Sequence, residues 1–184
     1  MPAVFLSYAH DSDQHRAEVG KLAGFLRERR IVVTLDRWSD HERRDWSSWA
    51  IEGITQADFV IVVASPDYRR AGDGLGASAV NRGVQSETAL LRDLLHGDRR
   101  MWVRRVLPVL LPGHDVDEIP AFLQPHTGSY YRVTAFTEEG ASDLMRTIRG
   151  DGPDDLESGT RRSCRRRGSA RPTSTTTSCS ERTN

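Results

Sequence analysis

Lysine is almost missing from this 184-residue chain: Lys21 is the only one, and arginine supplies the rest of the 26 basic residues. We read that bias as GC-rich coding, not chemistry. Cysteine is nearly as scarce, and both copies, Cys164 and Cys179, fall near the C-terminal end. The part of the chain before them has no disulfide and no thiolate ligands, as expected in a reducing cytosol. Charge of one sign is also lacking. The 26 basic residues face 26 acidic ones, for a formal net charge of +0. A dedicated nucleic-acid binder usually shows a clear basic excess, so specific nucleic-acid binding is not expected. No apolar run approaches the roughly 18 residues of a membrane span. The start, Met1 to Ser7, lacks the basic region and long apolar stretch of a secretory signal. The expectation is a cytoplasmic protein that does not engage a membrane.

What the chain does contain divides near Gly150. Residues 151–184 hold Leu156 and Ala170 as their only aliphatic residues, five arginines between Arg161 and Arg167, and an unbroken Ser/Thr run from Thr173 to Ser178. Such a segment buries too little apolar area to offset its ordering entropy, and a disordered tail is expected. Its arginine cluster reads as a solvated face in preference to an RNA or acidic-surface contact. Residues 1–150 alternate strand-like and helix-like segments. Val4–Leu6, Ile31–Leu35, Phe59–Ala64, Val106–Leu111 and Tyr130–Val133 read as strands. Val19, Leu22, Ala23 and Leu26 recur at helical spacing, as do Trp46, Trp49, Ala50 and Ile54. The first of these helices is capped by Asp11, Ser12 or Asp13 and the second by Asp45. Further helices are expected over 80–96 and 138–149. Pro108 suits an outer strand better than a central one. The whole predicts a flavodoxin-like, doubly wound parallel sheet of five strands in the order 2-1-3-4-5, with helices on both faces.

Ligands of such sheets bind beyond the carboxyl ends of the strands, where the strand order reverses. The residues there are Ser7, Tyr8, Ala9, His10 and Asp11 after the first strand. Asp36, Arg37 and Trp38 follow the second, and Ser65, Pro66, Asp67 and Tyr68 the third. The first loop has no glycine and carries two acids, which is the wrong chemistry for cradling phosphate. Gly72, Gly74 and Gly76 do not join a strand directly to a helix, and they read as a flexible lid or linker. A phospho-accepting receiver fails for want of clustered acids after the first strand and of a lysine near the fifth. No zinc spacing is present. His10, Asp11 and Asp13 have the chemistry for a hard cation, but helix capping explains the acids more simply, so no metal is expected.

One carboxylate sits on an unexpected face. In the helix over 80–96, Glu87 falls between Leu91 and Leu94 on the helical wheel, on the apolar side. A carboxylate there is either paired with an arginine or placed at a pocket edge, where it resists ionisation.

Several motifs together resemble the SEFIR domain, a branch of the TIR-like superfamily. They are Val4-Phe5-Leu6-Ser7-Tyr8 with Asp11, Leu35-Asp36-Arg37-Trp38, Gly53-Ile54, the apolar strand 59–64 and Ser65-Pro66-Asp67-Tyr68. Gly83-Val84 with Glu87, Leu107-Pro108-Val109-Leu110 and Ile119-Pro120-Ala121-Phe122-Leu123 complete the set, over about residues 3–148. Bacterial members look like effectors or signalling parts of antiphage immune proteins. Several TIR-like relatives cleave NAD with a glutamate on the helix that Glu87 occupies here. The resemblance implies Glu87 as the catalytic residue. It implies Ser7, Tyr8 and Asp11 at the border of a nucleotide pocket, and Asp36, Arg37 and Trp38 in a loop that guards the site and joins subunits. The Trp-Cys pair that often precedes the glutamate in TIR enzymes is replaced by Gly83-Val84.

Two functions follow from the resemblance. The first is an NAD glycohydrolase, with NAD as substrate and no bound cofactor. Its transition state is oxocarbenium-like, as in glycoside cleavage, and a carboxylate near the ribose stabilises the developing positive charge. Trp38 or Tyr8 would stack on a base and Arg37 would meet the diphosphate. The second is a non-catalytic adaptor that associates with copies of itself or with other SEFIR or TIR domains, head to tail. Arg37, Arg43 and Arg44 beside Asp40, Glu42 and Asp45 suit such contacts.

Overall fold

Five short segments pair in parallel as one sheet: β1 (Ala3–Ser7), β2 (Val32–Thr34), β3 (Phe59–Val63), β4 (Val106–Leu110) and β5 (Tyr131–Arg132). Their order, β2-β1-β3-β4-β5, is the one expected from the alternation of strand and helix signals. The computed structural model describes residues 1–35, 46–76 and 81–150. Asp36, Arg37, Trp38, the Asp45 cap and the tail 151–184 therefore lie outside the described residues.

Among the described residues the α-helices are α1 (Asp13–Glu28), α2 (Trp46–Gln56), α3 (Pro66–Gly72), α4 (Arg82–Gly97), α5 (Arg99–Arg105) and, after the last strand, α6 (Ser142–Arg149). Successive strand side chains point to opposite faces, and the two cores follow that parity. Val4, Leu6 and Tyr8 join Ile61, Val63, Leu107 and Val109 in a core with α1 and α6. Phe5, Val60, Val62 and Val106 join α2, α3, α4 and α5 on the other face. Because both faces are covered, β3 and β4 are apolar throughout instead of alternating.

The α1 stripe behaves as its spacing predicts, with Val19, Leu22, Ala23 and Leu26 fully buried. Each larger member contributes about 1.5–3 kcal/mol of burial. Ser12 is the N-cap, accepting from the His15 amide at 3.1 Å. Helix α2 lies so close to β1 that a Cβ on Gly53 would stand 2.7 Å from the Phe5 ring. Trp49, one turn earlier, packs on the same ring at 5.4 Å between centroids. Arg105 closes the far end of α2, donating to the carbonyls of Thr55, Ala57 and Asp58. Glu138 ties α1 to α6 by accepting from Arg29 at 2.6 Å and also from Arg149. Those two hydrogen bonds, Arg29's first, hold its carboxyl below the usual glutamate range.

The structure corrects several local expectations. Ser65–Tyr68 is not loop: Ser65 caps α3 and Pro66 opens it, the position where the missing proline N–H costs nothing. Gly72 is not part of a lid but the last residue of α3, where a Cβ would collide with Pro120 at 2.7 Å. Helix α5 was not expected, because only Trp102 of its seven residues is buried and four are arginine. The last helix starts at Ser142, four residues later than expected. Strand β4 lies inside the sheet, between β3 and β5. It tolerates Pro108 because Val109 bonds toward β3 (Ala64 N to Val109 O, 2.9 Å) and Leu110 toward β5 (Val133 N to Leu110 O, 2.8 Å). The same parity turns Pro108 toward β5, whose pairing begins only at Val109. No ladder donor is lost.

Candidate functional site

The strand order reverses between β1 and β3, and Ser7 is the last residue of β1 beside that crevice. Parity turns Ser7 to the same face as Phe5, toward α3 and α4. Its hydroxyl lies 2.8 Å from the Tyr68 hydroxyl and 2.5 Å from Glu87 Oε2. Ser7 and Tyr68 are almost wholly buried, whereas Glu87 is half-buried on α4. An ionised carboxylate only accepts, so Ser7 spends its one hydrogen on Glu87, and its lone pair accepts from Tyr68. The chain of donors runs from Tyr68 through Ser7 to Glu87. Burial, then the charge of Glu87, push the Tyr68 phenol well above its ordinary range, against a smaller opposing effect of the Ser7 bond. Tyr68 stays a donor at any physiological pH. The arrangement holds a carboxylate by a hydrogen bond at the carboxyl end of β1, where it can stabilise positive charge that develops nearby.

Asp11 also lies at this rim, in a different role from the one its spacing predicts. It does not cap α1. Its Oδ1 accepts from Ser65 Oγ at 2.8 Å and its Oδ2 from the Asp67 amide at 3.0 Å. Ser65 in turn accepts from the Tyr68 amide at 3.2 Å. Asp11 thus completes the cap of α3 from another loop, which fixes the backbone that carries Tyr68. Both oxygens are in use. Among the described residues no group of three or more His, Cys, Asp or Glu is placed to hold a metal ion.

Tyr8 faces away from Ser7. It is 4% exposed, lies in the core on the α1 side, and has the His10 and His15 rings 5.1 and 6.4 Å away. The structure therefore brings Ser7 and Glu87 into contact, places Asp11 one layer behind them, and turns Tyr8 to the opposite face. Tyr68 was missed as a site residue. The Ser65-Pro66 pair held the available signal, since a cap followed by proline starts a helix at the carboxyl end of β3. A cleft of about 700 Å³ lies at the opposite rim, between Pro2, Phe59 and Arg105, away from this chemistry. No described helix is long and apolar enough to cross a membrane.

A 2-1-3-4-5 parallel sheet with helices on both faces defines the class, a flavodoxin-like α/β domain. The chain belongs to the SEFIR family, whose domain model matches residues 2–138. Among solved structures, a prokaryotic SEFIR domain is similar at 22% identity and a TM-score of 0.58, over 80% of this chain and 92% of that one. The IL-17 receptor B SEFIR domain is similar at 16% identity and a TM-score of 0.55, over 80% and 96%. The TIR domains of the activated Roq1 resistosome, which directly recognises the pathogen effector XopQ, are similar at 17% identity and 0.52, over 82% and 99%. No curated protein matches the chain.

Proposed function

We propose that this chain is a SEFIR/TIR-like signalling effector in which Glu87 promotes cleavage of NAD at the nicotinamide–ribose bond. The observation that supports this reading most is the fixed Ser7–Glu87 contact at the switch point of the sheet. In the reaction, the bond pair leaves with nicotinamide, which departs neutral and needs no general acid. The ribosyl cation left behind is captured by water, which releases a proton. A carboxylate near the ribose stabilises the cation electrostatically. Arg37 would meet the diphosphate and Trp38 would stack on a base. Purified protein incubated with NAD should yield nicotinamide and an ADP-ribose product by mass spectrometry. Absence of turnover, including at concentrations where the protein self-associates, would overturn the reading.

A second reading has its own support. Ser7 and Tyr68 are buried and committed to each other, so the same contacts serve a domain that signals only by association. The similar structures include a receptor domain and a resistosome. In this reading, copies of the chain or other SEFIR and TIR domains are the partners, joined through the loop after β2. Light scattering of the wild type and of Trp38→Ala separates the two: an adaptor assembles through that loop and leaves NAD intact.

A further inference from the structure

At the same rim, on the face opposite Glu87, buried His15 meets a half-buried pair from a distant part of the sequence, His114 and Glu118, in a polar chain. His15 lies in the first turn of α1 and is 3% exposed. Its Nδ1 is 3.2 Å from Nε2 of His114, in the turn after β4. His114 Nδ1 contacts the carboxylate of Glu118. His15 Nε2 is buried and has no hydrogen-bond partner.

The protons in this chain have one consistent arrangement. Glu118, when ionised, accepts, so His114 carries its hydrogen on Nδ1. A neutral His114 then accepts at Nε2, so His15 donates from Nδ1. His15 Nε2 is left as a bare lone pair, the form that costs least without a partner. One added proton spoils this. If His114 takes it, both of its nitrogens donate, and His15 must move its hydrogen to Nε2. If His15 takes it, Nε2 again becomes N–H, now on a buried cation. Either way a buried donor has no acceptor.

We propose that His15, His114 and Glu118 form a proton-sensing latch, closed when both imidazoles are neutral, that fastens the start of α1 to the β4–β5 connection and opens on acidification. The groups around His15 are Asp11 and Glu18 from the α1 side, Tyr8 from the loop after β1, and His114 and Glu118 from the connection, with His10 beyond Tyr8 on its ring. Arg132 of β5 reaches the carbonyl of His114 at 3.3 Å. The three carboxylates favour a charged His15. Burial, followed by the neighbouring His114, outweighs them and lowers its pKa from the ordinary value of 6.5. Below that value an unfolded His15 takes up a proton that the folded one resists, so stability falls as pH falls. The latch meets the site behind the first loop, because Asp11, four residues before His15, holds the cap of α3.

Nitrogen NMR of the wild-type imidazoles at pH 8 should show both His15 and His114 as Nδ1–H tautomers. Between pH 7.5 and 5.5 the wild-type melting temperature should fall by about 2–4 °C more than that of His15→Phe, the shift that one lost buried contact gives a chain of this size. Amide exchange over residues 13–18 and 111–118 should rise together on acidification in the wild type. An Nε2–H tautomer on His15 at pH 8, or parallel pH profiles for the two proteins, would overturn the proposal. The tautomer measurement needs only the wild type, so it decides the matter even if the variant folds poorly.

Discussion

Ser7 and Glu87 stand eighty positions apart in the sequence and 2.5 Å apart in space. The contact joins the end of β1 to α4. A serine with one hydrogen cannot donate to both of its neighbours, so the direction of the bond is set by the carboxylate. Replacing Glu87 with Gln keeps size and an acceptor for Ser7 but removes the charge. If the carboxylate stabilises a ribosyl cation, NAD turnover should fall by about 10²–10³-fold, with the melting temperature nearly unchanged. Normal turnover in a Glu87→Gln protein would remove Glu87 from the chemistry. Both quantities can be measured on one preparation.

The Tyr68–Ser7 bond is open to a double-mutant cycle. Ser7→Ala strands the buried Tyr68 hydroxyl and should cost about 1–3 kcal/mol. Tyr68→Phe removes that hydroxyl cleanly and should cost less. The pair together should be less destabilising than the sum, by about 0.5 kcal/mol or more. Urea titrations of the four proteins give the coupling, and strict additivity would show that the bond contributes nothing specific.

Asp11 gives a third test. Asp11→Ala leaves the Asp67 amide and the Ser65 hydroxyl without their acceptor at the start of α3. Loss of a helix cap of this kind typically costs about 0.5–2 kcal/mol. Amide exchange should rise at Asp67 and Tyr68 before it rises in α1. Equal exchange in both helices would argue against the cross-loop cap.

Gly53→Ala should destabilise the domain by about 1–3 kcal/mol, the usual cost of overpacking. The added methyl meets Phe5 at 2.7 Å. A second change, Phe5→Leu, makes room for it. If Phe5→Leu does not reduce the penalty of Gly53→Ala in thermal melts, the close approach is not its cause.

A chain ending at Gly150 should melt at the same temperature as the full chain, since residues 151–184 lack any apolar periodicity. A marked drop would place the boundary elsewhere.

The sheet order was legible because Phe59–Val63 and Val106–Leu110 are apolar runs too short for helices, and because Val19, Leu22 and Leu26 keep helical register. Helix α5 was not legible, since one buried Trp102 among arginines leaves no period to read. Glu87 stood out as a carboxylate on an apolar face. Its hydroxyl partner did not, because nothing local to Ser7 reports a helix eighty residues away. Of the three cap candidates before α1, Ser12 takes the place; that Asp11 instead caps α3 was not legible, because spacing along the chain cannot reveal an acceptor that serves another loop. The His15–His114 pair, separated by 99 positions, left no trace in the sequence.

The outer strands carry a consequence for how copies of this domain can meet. At the two margins of the sheet, β2 spans three residues and β5 two. An added strand gains its affinity from a run of free backbone donors and acceptors, and margins this short offer few of them. Extending one sheet into the next is therefore a poor route to assembly. If copies associate as an adaptor would, the side chains of loops and helices must carry the recognition.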